Sequence, residues 1–364
     1  MLETWRRNRR KRLARARRPI HQMVKFCSVL ALILGLQADA EDITPRIGFI
    51  QVYGVHKLSS GKVQASLGLK PGDPLPSRLA SEEKIDKLSG VVDSRVEAYC
   101  CDGRKTVLYV GIAEKNAPHA EFHQSPAGAM SLPQEIVDKY QLLLDATAAS
   151  LRAGNADEDL TNGYSLMADP QCREIQQSLL PLVSDNLANV DQVVRQAADP
   201  EQRATAAYVL QYAPRTPRAL QTAADGLQYA LQDPEDEVRK NAMTSLKALM
   251  VGARLHPEQE VRIEPTWFVE LMNSVVWSDR HNASLALLTL TDRTNEATLQ
   301  LLRERALPSV IEMAQWHDLE HALPGFMLAG RLAGMSDEEI KAAWANGDRE
   351  EVLKRALKPK KKTS

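Results

Sequence analysis

The chain lacks the sequence features that mark a membrane-spanning protein, a nucleotide enzyme or a disulfide framework. No apolar run reaches the roughly 18 to 20 residues of a membrane-spanning helix. Four cysteines are present and none forms a C-x-x-C pair, so a thioredoxin-like role lacks support. No P-loop, G-x-G-x-x-G or G-x-S-x-G motif occurs, which removes the usual basis for predicting nucleotide binding or α/β-hydrolase chemistry.

The main body of the chain also lacks an excess of basic residues. Residues 1–40 hold ten of the 46 Lys and Arg residues against two acidic residues. Residues 41–364 therefore keep 36 basic and 45 acidic residues, a net charge of −9. Because phosphate binding needs clustered Lys and Arg, we predict no nucleic-acid partner for this body. Residues 358–364 are predicted to be a solvated basic tail.

The first forty residues follow the order of a secretory signal peptide. A basic stretch, RRNRRKRLARARR (6–18), precedes the apolar run FCSVLALILGL (26–36) and an A-x-A cleavage signature that ends at Ala40. We therefore predict Sec-type export to the periplasm or the outside, with no integral membrane span in the mature chain. Met23 is an alternative start, because the residues after it form a complete signal. The competing interpretations are an uncleaved anchor and a basic arm that binds nucleic acid.

Residues 41–114 predict a small α+β domain with the order β-α-α-β-β. The predicted elements are the strand Ile47–Val52, helices at Ser60–Leu67 and Ala80–Leu88, and strands at Arg95–Cys101 and Lys105–Ile112. Asp102-Gly103 separates the last two strands, and Asp-Gly is a strong hairpin signal because both turn positions require a positive φ.

Two stretches of this region, IQVYGVHKLSSGKVQASLGLKPGDPL and KLSGVVDSRVEAYCCDGRKTVLYVGIAEK, resemble a POTRA domain. The resemblance covers about 70 residues and includes a strand that ends in V-x-G, the link LGLKPGDPL between two helices, and L-x-G-V before a hairpin. It implies a bacterial periplasmic module that binds extended segments by adding them to a sheet edge. No β-barrel follows, which departs from the outer-membrane assembly proteins that carry such modules.

A proline-rich linker and a long helical region follow. The segment KNAPHAEFHQSPAGAMSLPQE, residues 115–135, has three prolines and no long periodicity, so we predict a linker over 115–131. Residues 132–357 have a helical pattern almost throughout, and we predict one helical repeat domain there.

The helical region contains a repeated pattern. Four arginines, Arg173, Arg203, Arg239 and Arg280, each have a leucine seven residues later, on the same helix face. In the first three units an Asp-Pro pair precedes the arginine, at Asp169, Asp199 and Asp233. Aspartate is a favoured N-cap and proline a favoured first helical residue, so each pair predicts a helix start.

The unit DPEDEVRKNAMTSLKAL (233–249) resembles the second helix of a HEAT repeat. Leu187–Ala198, Pro217–Leu231 and Trp267–Trp277 are the predicted first helices. The resemblance implies an α-solenoid with a broad surface that binds another macromolecule. We therefore interpret the repeated Arg and Asp residues as a ladder between repeats.

Three cysteines remain after the signal is removed: Cys100, Cys101 and Cys172. Adjacent residues of a strand face opposite ways, so Cys100 and Cys101 should differ in burial. One is predicted to be a core residue, and the other is a candidate for a disulfide with Cys172 that ties the two domains.

One motif suggests chemistry. His317, Glu320 and His321 match H-x-x-E-H, a pattern of zinc proteases in which both histidines share a helix face. Such enzymes need a further acidic ligand well downstream, yet only 43 residues follow His321, and Pro324 suggests a helix end. We therefore predict a non-enzymatic protein-binding adaptor or scaffold of the bacterial cell envelope, without a cofactor or metal. An exported metal-dependent hydrolase is the alternative.

Overall fold

The computed structural model describes residues 45–102, 105–160, 163–292 and 295–358. The predicted signal peptide, its cleavage site at Ala40, the alternative start at Met23 and most of the basic tail lie outside these ranges. Among the described residues, no helix is both long enough and apolar enough to cross a membrane.

The predicted small α+β region is present at the start of the described chain. Its elements are β1 (Ile47–Tyr53), α1 (Ser60–Leu67), α2 (Arg78–Ile85), β2 (Val91–Asp102) and β3 (Lys105–Glu114). The three strands form one sheet in the order β1-β3-β2, in which β3 pairs parallel with β1 and antiparallel with β2. The central strand β3 is therefore hydrogen-bonded on both sides.

The two faces of this sheet differ in chemistry. One face packs against α1 and α2 through an aliphatic cluster whose members include Ile50, Val52, Val96, Leu108, Val110 and Ile112 from the strands and Val63, Leu67 and Ile85 from the helices. The opposite face carries Tyr53 and Tyr109, which are fully buried and belong to the core of the helical region. The sheet is thus covered on both sides, because side chains alternate along each strand.

The rest of the described chain is mainly helical, apart from residues 115–133 and the loops between helices. In chain order the helices are α3 (Gln134–Arg152), α4 (Pro170–Gln196), α5 (Pro200–Val209), α6 (Pro217–Ala230), α7 (Asp236–Leu255), α8 (Thr266–Leu271), α9 (Trp277–Leu290), α10 (Glu296–Ala314), α11 (Leu319–Leu332), α12 (Asp337–Asn346) and α13 (Arg349–Leu357). A two-residue ladder, β4 (Glu158–Asp159) with β5 (Leu166–Met167), precedes α4.

The helices form a helical repeat solenoid of two layers. The second helices of the repeats, α5, α7, α9 and α11, pack side by side, and each pairs with a preceding first helix. The small residues and leucines that follow the arginines of α5, α7 and α9 are fully buried, with Leu210 one residue beyond the end of α5: Ala206, Leu210, Ala242, Leu246, Ala283 and Leu287. Two of the predicted first helices differ from the structure. Leu187–Ala198 is continuous with the helix of Arg173, interrupted only by non-helical backbone angles at Asn186. The helix predicted at Trp267–Trp277 ends at Leu271, and Trp277 is the first residue of α9.

Candidate functional site

Each of the four repeated arginines makes an equivalent hydrogen bond within its own repeat. Each donates to the carbonyl oxygen of the residue six positions earlier. The pairs are Arg173 with Met167, Arg203 with Ala197, Arg239 with Asp233, and Arg280 with Ser274. That carbonyl lies at or near the turn before the helix that carries the arginine. Each arginine side chain therefore ties this turn to its own helix.

Three of the arginines also bind a carboxylate of the next repeat. Arg203 makes a bidentate pair with Asp233 at 2.6 and 2.9 Å. Arg239 donates twice to Oδ2 of Asp279, at 2.9 and 2.7 Å, and Arg280 donates to Oε2 of Glu312 at 2.9 Å. Arg203, Arg239 and Arg280 are at most 2% exposed, so these contacts hold charges inside the protein.

Not all of the residues in the expected ladder serve as its rungs. Asp233 binds Arg203, but Asp169 and Asp199 are N-caps that accept from the backbone N–H groups of Cys172 and Glu201. Arg173 binds Asp159 of β4 at 3.2 Å instead of a carboxylate in the following repeat.

The carboxylates Asp279 and Glu312 complete the ladder. They were missed because neither belongs to an Asp-Pro pair, the pattern from which the other carboxylates of the expected ladder were chosen.

The N-terminal third of the described chain covers this ladder. The predicted linker follows the turns of the repeats, where Gly128 pairs with the turn before α5 and the N–H of His123 donates to the carbonyl of Gln232 at 2.8 Å. Phe122 lies 4.0 Å from the guanidinium of Arg239, and Tyr53 lies 4.6 Å from that of Arg280. Aromatic rings therefore cover two of the buried arginines.

The sheet is attached to the turns before α9 and α11 by a contact that we call the docking contact. Its sheet residues are Gln51, Tyr53, Gly54, Glu97, Tyr99 and Tyr109, and its repeat residues are Val275, Trp277, His281, Glu312, Trp316, His317 and His321. Its hydrogen bonds include Tyr53 Oη to the Val275 carbonyl at 2.7 Å, Trp277 N–H to Glu97 at 2.5 Å and His317 N–H to Gln51 at 3.1 Å. The N–H of Gly54 donates to both oxygens of Glu312, at 2.9 and 3.0 Å.

Aromatic rings fill the centre of the docking contact. The indole of Trp277 lies 3.8 Å from the ring of Tyr99 and 5.0 Å from that of Tyr109, and Trp316 lies 5.6 Å from Tyr53. Burial raises the pKa of Tyr53 and Tyr109 well above the ordinary value, so both phenols stay protonated and act as donors at neutral pH. The hydroxyl of Tyr109 lies 2.6 Å from Nδ1 of His321.

Gly111 sets the distance between the sheet and the repeats. A methyl group in place of its α-hydrogen would overlap the carbonyl oxygen of Val275 and would lie 2.6 Å from the Tyr53 hydroxyl oxygen. The backbone of β3 thus lies directly against the turn before α9.

The H-x-x-E-H residues do not share a helix face. Asp318 is the N-cap of α11, so His317 precedes the helix, where it stacks on Phe49 at 4.2 Å. His321 lies within the first turn of α11 and contacts Tyr109. Within the described ranges, no group of three or more His, Cys, Asp or Glu side chains is placed to hold a metal ion.

The predicted disulfide to Cys172 does not fit the structure. Cys172 is a free thiol, fully buried in the core of the helical region near the start of α4. The side chains of Cys100 and Cys101 lie outside the described part of the chain.

Strand β2 forms one outer edge of the sheet, and α2 covers only part of it. The carboxylate of Glu82 accepts the outward N–H of Val96 at 3.1 Å. The next residue of the same orientation, Ala98, is exposed. A groove runs beside it, lined by Leu75, Pro76, Arg78, Val96, Glu97, Ala98, Tyr99 and Leu108. The opposite edge, at β1, is covered at its start by hydrogen bonds between Ile47 and residues 72–73.

No family model matches the chain, and no curated protein matches it in sequence. A designed armadillo repeat protein in complex with the peptide (KR)4 is similar in structure, with a TM-score of 0.34 and 13% identity, over 54% of this chain and 96% of its own. Computationally designed armadillo repeat proteins for modular peptide recognition have a TM-score of 0.36 and 16% identity, over 60% and 97%. Both TM-scores lie below 0.5, so the repeat architecture rests on the two helix layers and the arginine ladder of this chain.

Proposed function

We propose that the chain is a non-enzymatic, protein-binding adaptor of the bacterial cell envelope that captures an extended segment of its partner at the free edge of β2. The observation that carries the proposal is the exposed edge at Ala98, beside the groove lined by Leu75, Pro76 and Leu108. An extended segment that pairs with outward N–H and C=O groups gains backbone hydrogen bonds, and alternate side chains can enter a neighbouring groove. Such capture is also the mode that the POTRA resemblance implies.

The repeats would hold this edge in a fixed position. The docking contact ties the sheet to two successive turns of the solenoid, through Trp277 and His317. A fixed edge costs less entropy to bind than a mobile one, which favours an adaptor over a flexible tether. The net charge of −9 over residues 41–364 favours a neutral or basic partner, with binding that weakens as salt is added.

The edge can be blocked without disturbing the sheet. Proline at position 98 removes an N–H that points away from β3, and edge strands tolerate proline at such positions. Partners would be crosslinked in envelope fractions and identified, and their affinity would then be measured with the natural chain, Ala98→Pro and the matched control Ala98→Val. We expect Ala98→Pro to weaken binding at least tenfold and Ala98→Val to bind like the natural chain. Equal binding of all three would refute edge capture.

The envelope location has its own test. N-terminal sequencing of the mature protein from its producing cell should begin at Glu41, because cleavage is expected after Ala40. A mature form that retains Met1 or Met23 in the cytosol would contradict the location, and would leave the edge-capture experiment unaffected.

A further inference from the structure

Two histidines lie side by side at the docking contact. His281 of α9 and His321 of α11 have ring centroids 5.5 Å apart, and the ring of His281 stacks on Trp277 at 4.8 Å. The hydroxyl oxygen of Tyr109, from the central strand of the sheet, lies 2.6 Å from Nδ1 of His321. The histidine pair therefore joins two repeats and touches the α+β sheet as well.

The surroundings favour neutral imidazoles. Burial lowers the pKa of His321, although Asp318 and Glu320 act in the opposite direction. Burial, and then the neighbouring His321, lower the pKa of His281 to about 4, against the weaker effect of Asp318. Two further titratable side chains contact the pair, Tyr99 from β2 and Tyr109 from β3, whose rings lie 5.7 and 5.6 Å from that of His321.

Protonation would disturb the contact in two ways. Two imidazolium ions whose rings lie 5.5 Å apart repel each other in a half-buried site. In the tautomer whose Nδ1 accepts from the Tyr109 hydroxyl, protonation of Nδ1 would also force that hydroxyl to turn and accept instead. Separation of the sheet from the repeats would relieve both effects and return the rings to water.

Some buried polar atoms of the docking contact also lack a hydrogen bond to any described residue. Nε1 of Trp316 and Nδ1 of His281 are buried without a hydrogen-bond partner among the described residues. Separation would hydrate both atoms, which offsets part of the apolar area that it exposes. The sheet retains its own aliphatic core with α1 and α2, so it need not unfold when it leaves the repeats.

We propose that His281 and His321 form a pH-sensitive clasp, in which acidification releases the α+β sheet from the turns of the repeats while both parts remain folded. This inference goes beyond the proposed adaptor role, and its test needs no binding partner.

The sign follows from linkage. Both histidines have a pKa below the ordinary value in the docked state, so their contribution to docking is complete above about pH 6.5 and is lost as the pH falls towards 4. If His281 alone regains its ordinary pKa on release, the equilibrium constant for docking falls by at least about tenfold at pH 5. Glu97 acts with the opposite sign, because burial raises its pKa and its protonation favours the docked state.

Hydrogen–deuterium exchange of the full chain at pH 7.5 and pH 5.0, corrected for intrinsic exchange rates, tests the clasp. The probes are three amides that donate across the contact, those of Gly54, Trp277 and His317. We expect them to lose protection at least about tenfold at pH 5.0, while the amides of Val107–Ile112 in the sheet and those in the core of α7 stay protected. Unchanged protection of the three probes, or loss of protection throughout the chain, would overturn the proposal.

Variants identify the sensor. Replacement of both histidines by glutamine should abolish the difference between the two pH values, whereas the control His256→Gln, beyond the C-terminal end of α7, should preserve it. Glu97→Gln should enlarge the loss of protection between pH 7.5 and pH 5.0, because it removes the group of opposite sign. A double-histidine variant that still responds to pH would contradict the proposal.

A second measurement on the natural chain is independent of any variant. Titration of the imidazole proton resonances should give midpoints below 6.5 for His281 and His321, at the pH where the three probe amides lose protection. Midpoints at 6.5, or midpoints separate from the loss of protection, would refute the clasp.

Discussion

The carboxylate of Glu97 accepts a hydrogen bond from the backbone N–H of Trp277 at 2.5 Å, so a residue of strand β2 caps helix α9. Val276, at the N-cap position of α9, makes no side-chain cap of its own. The hydroxyl of Ser278 also approaches Glu97, at 3.4 Å. The first turn of α9 is therefore completed by a residue 180 positions earlier in the chain, and docking supplies the cap of that turn.

Replacement of Glu97 tests this cap. Glu97→Ala should lower the free energy of unfolding by about 1–2 kcal/mol relative to Glu97→Gln, because glutamine still offers an oxygen to the N–H of Trp277 and alanine does not. Urea denaturation at pH 7 gives both values. Equal unfolding free energies for the two variants would mean that the hydrogen bond adds nothing.

The arginine ladder predicts a cost for an uncompensated buried charge. Arg239→Ala should destabilise the chain by about 3–5 kcal/mol, because it leaves Asp279 charged and fully buried. Arg262→Ala, which removes an exposed ion pair with Glu264, should cost at most about 1 kcal/mol. Arg239→Met combined with Asp279→Asn should recover more than about 1 kcal/mol over Arg239→Ala. A double variant as unstable as the single one would contradict this explanation, and thermal or urea unfolding measures all three.

The packing of the repeats predicts the effect of a cavity in α7. Leu246 is fully buried, so Leu246→Ala should cost about 2–5 kcal/mol. Its exposed neighbour Lys247 provides the matched control, and Lys247→Ala should change stability by less than about 0.5 kcal/mol. Similar losses at the two positions, measured by urea denaturation, would mean that this face of α7 is not the packed one.

Glu114 predicts a pH-dependent stability of the α+β region. Burial raises the pKa of this carboxyl, but hydrogen bonds from the backbone N–H groups of His56, Leu58 and Lys57 outweigh burial and lower it. A lowered pKa gives stability that is present above about pH 4.5 and is lost as the pH falls through the folded-state value. Glu114→Gln should therefore cost about 1–3 kcal/mol at pH 7 and progressively less below pH 4.5. A cost that is independent of pH, in urea denaturation at several pH values, would contradict the charge-based explanation.

Local sequence signals predicted where some helices begin. They predicted less about which residues the side chains of those helices contact. The Asp-Pro pairs at 169–170 and 199–200 each place an aspartate N-cap before a first-turn proline, as expected. The pair at 233–234 does not, because α7 begins at Asp236 with Glu235 at its N-cap. The partners of the buried arginines were not predictable in this way, because they lie 30, 40 and 32 residues downstream. Irregular repeat lengths mean that no fixed spacing identifies Asp279 or Glu312.

The docking contact was missed for a related reason. Its hydrogen bonds join residues 180 or more positions apart, such as Tyr53 with Val275 and Tyr109 with His321, and no periodicity records such a pairing. One signal was present, because Tyr53, Glu97 and Tyr109 alternate with aliphatic residues along the three strands. Aromatic and ionisable residues opposite an aliphatic face indicate a second surface that is covered rather than solvated.

The close approach at Gly111 constrains how this chain can change over time. Since not even a methyl group fits between β3 and the turn before α9, a larger residue at position 111 would push the sheet away from the repeats. Conversely, a longer turn around Val275 would have to be matched by a change in the sheet. A change in the α+β region at this point therefore requires a matching change in the repeat that contains α9. A chimera that takes one of the two parts from another protein would also need the other part.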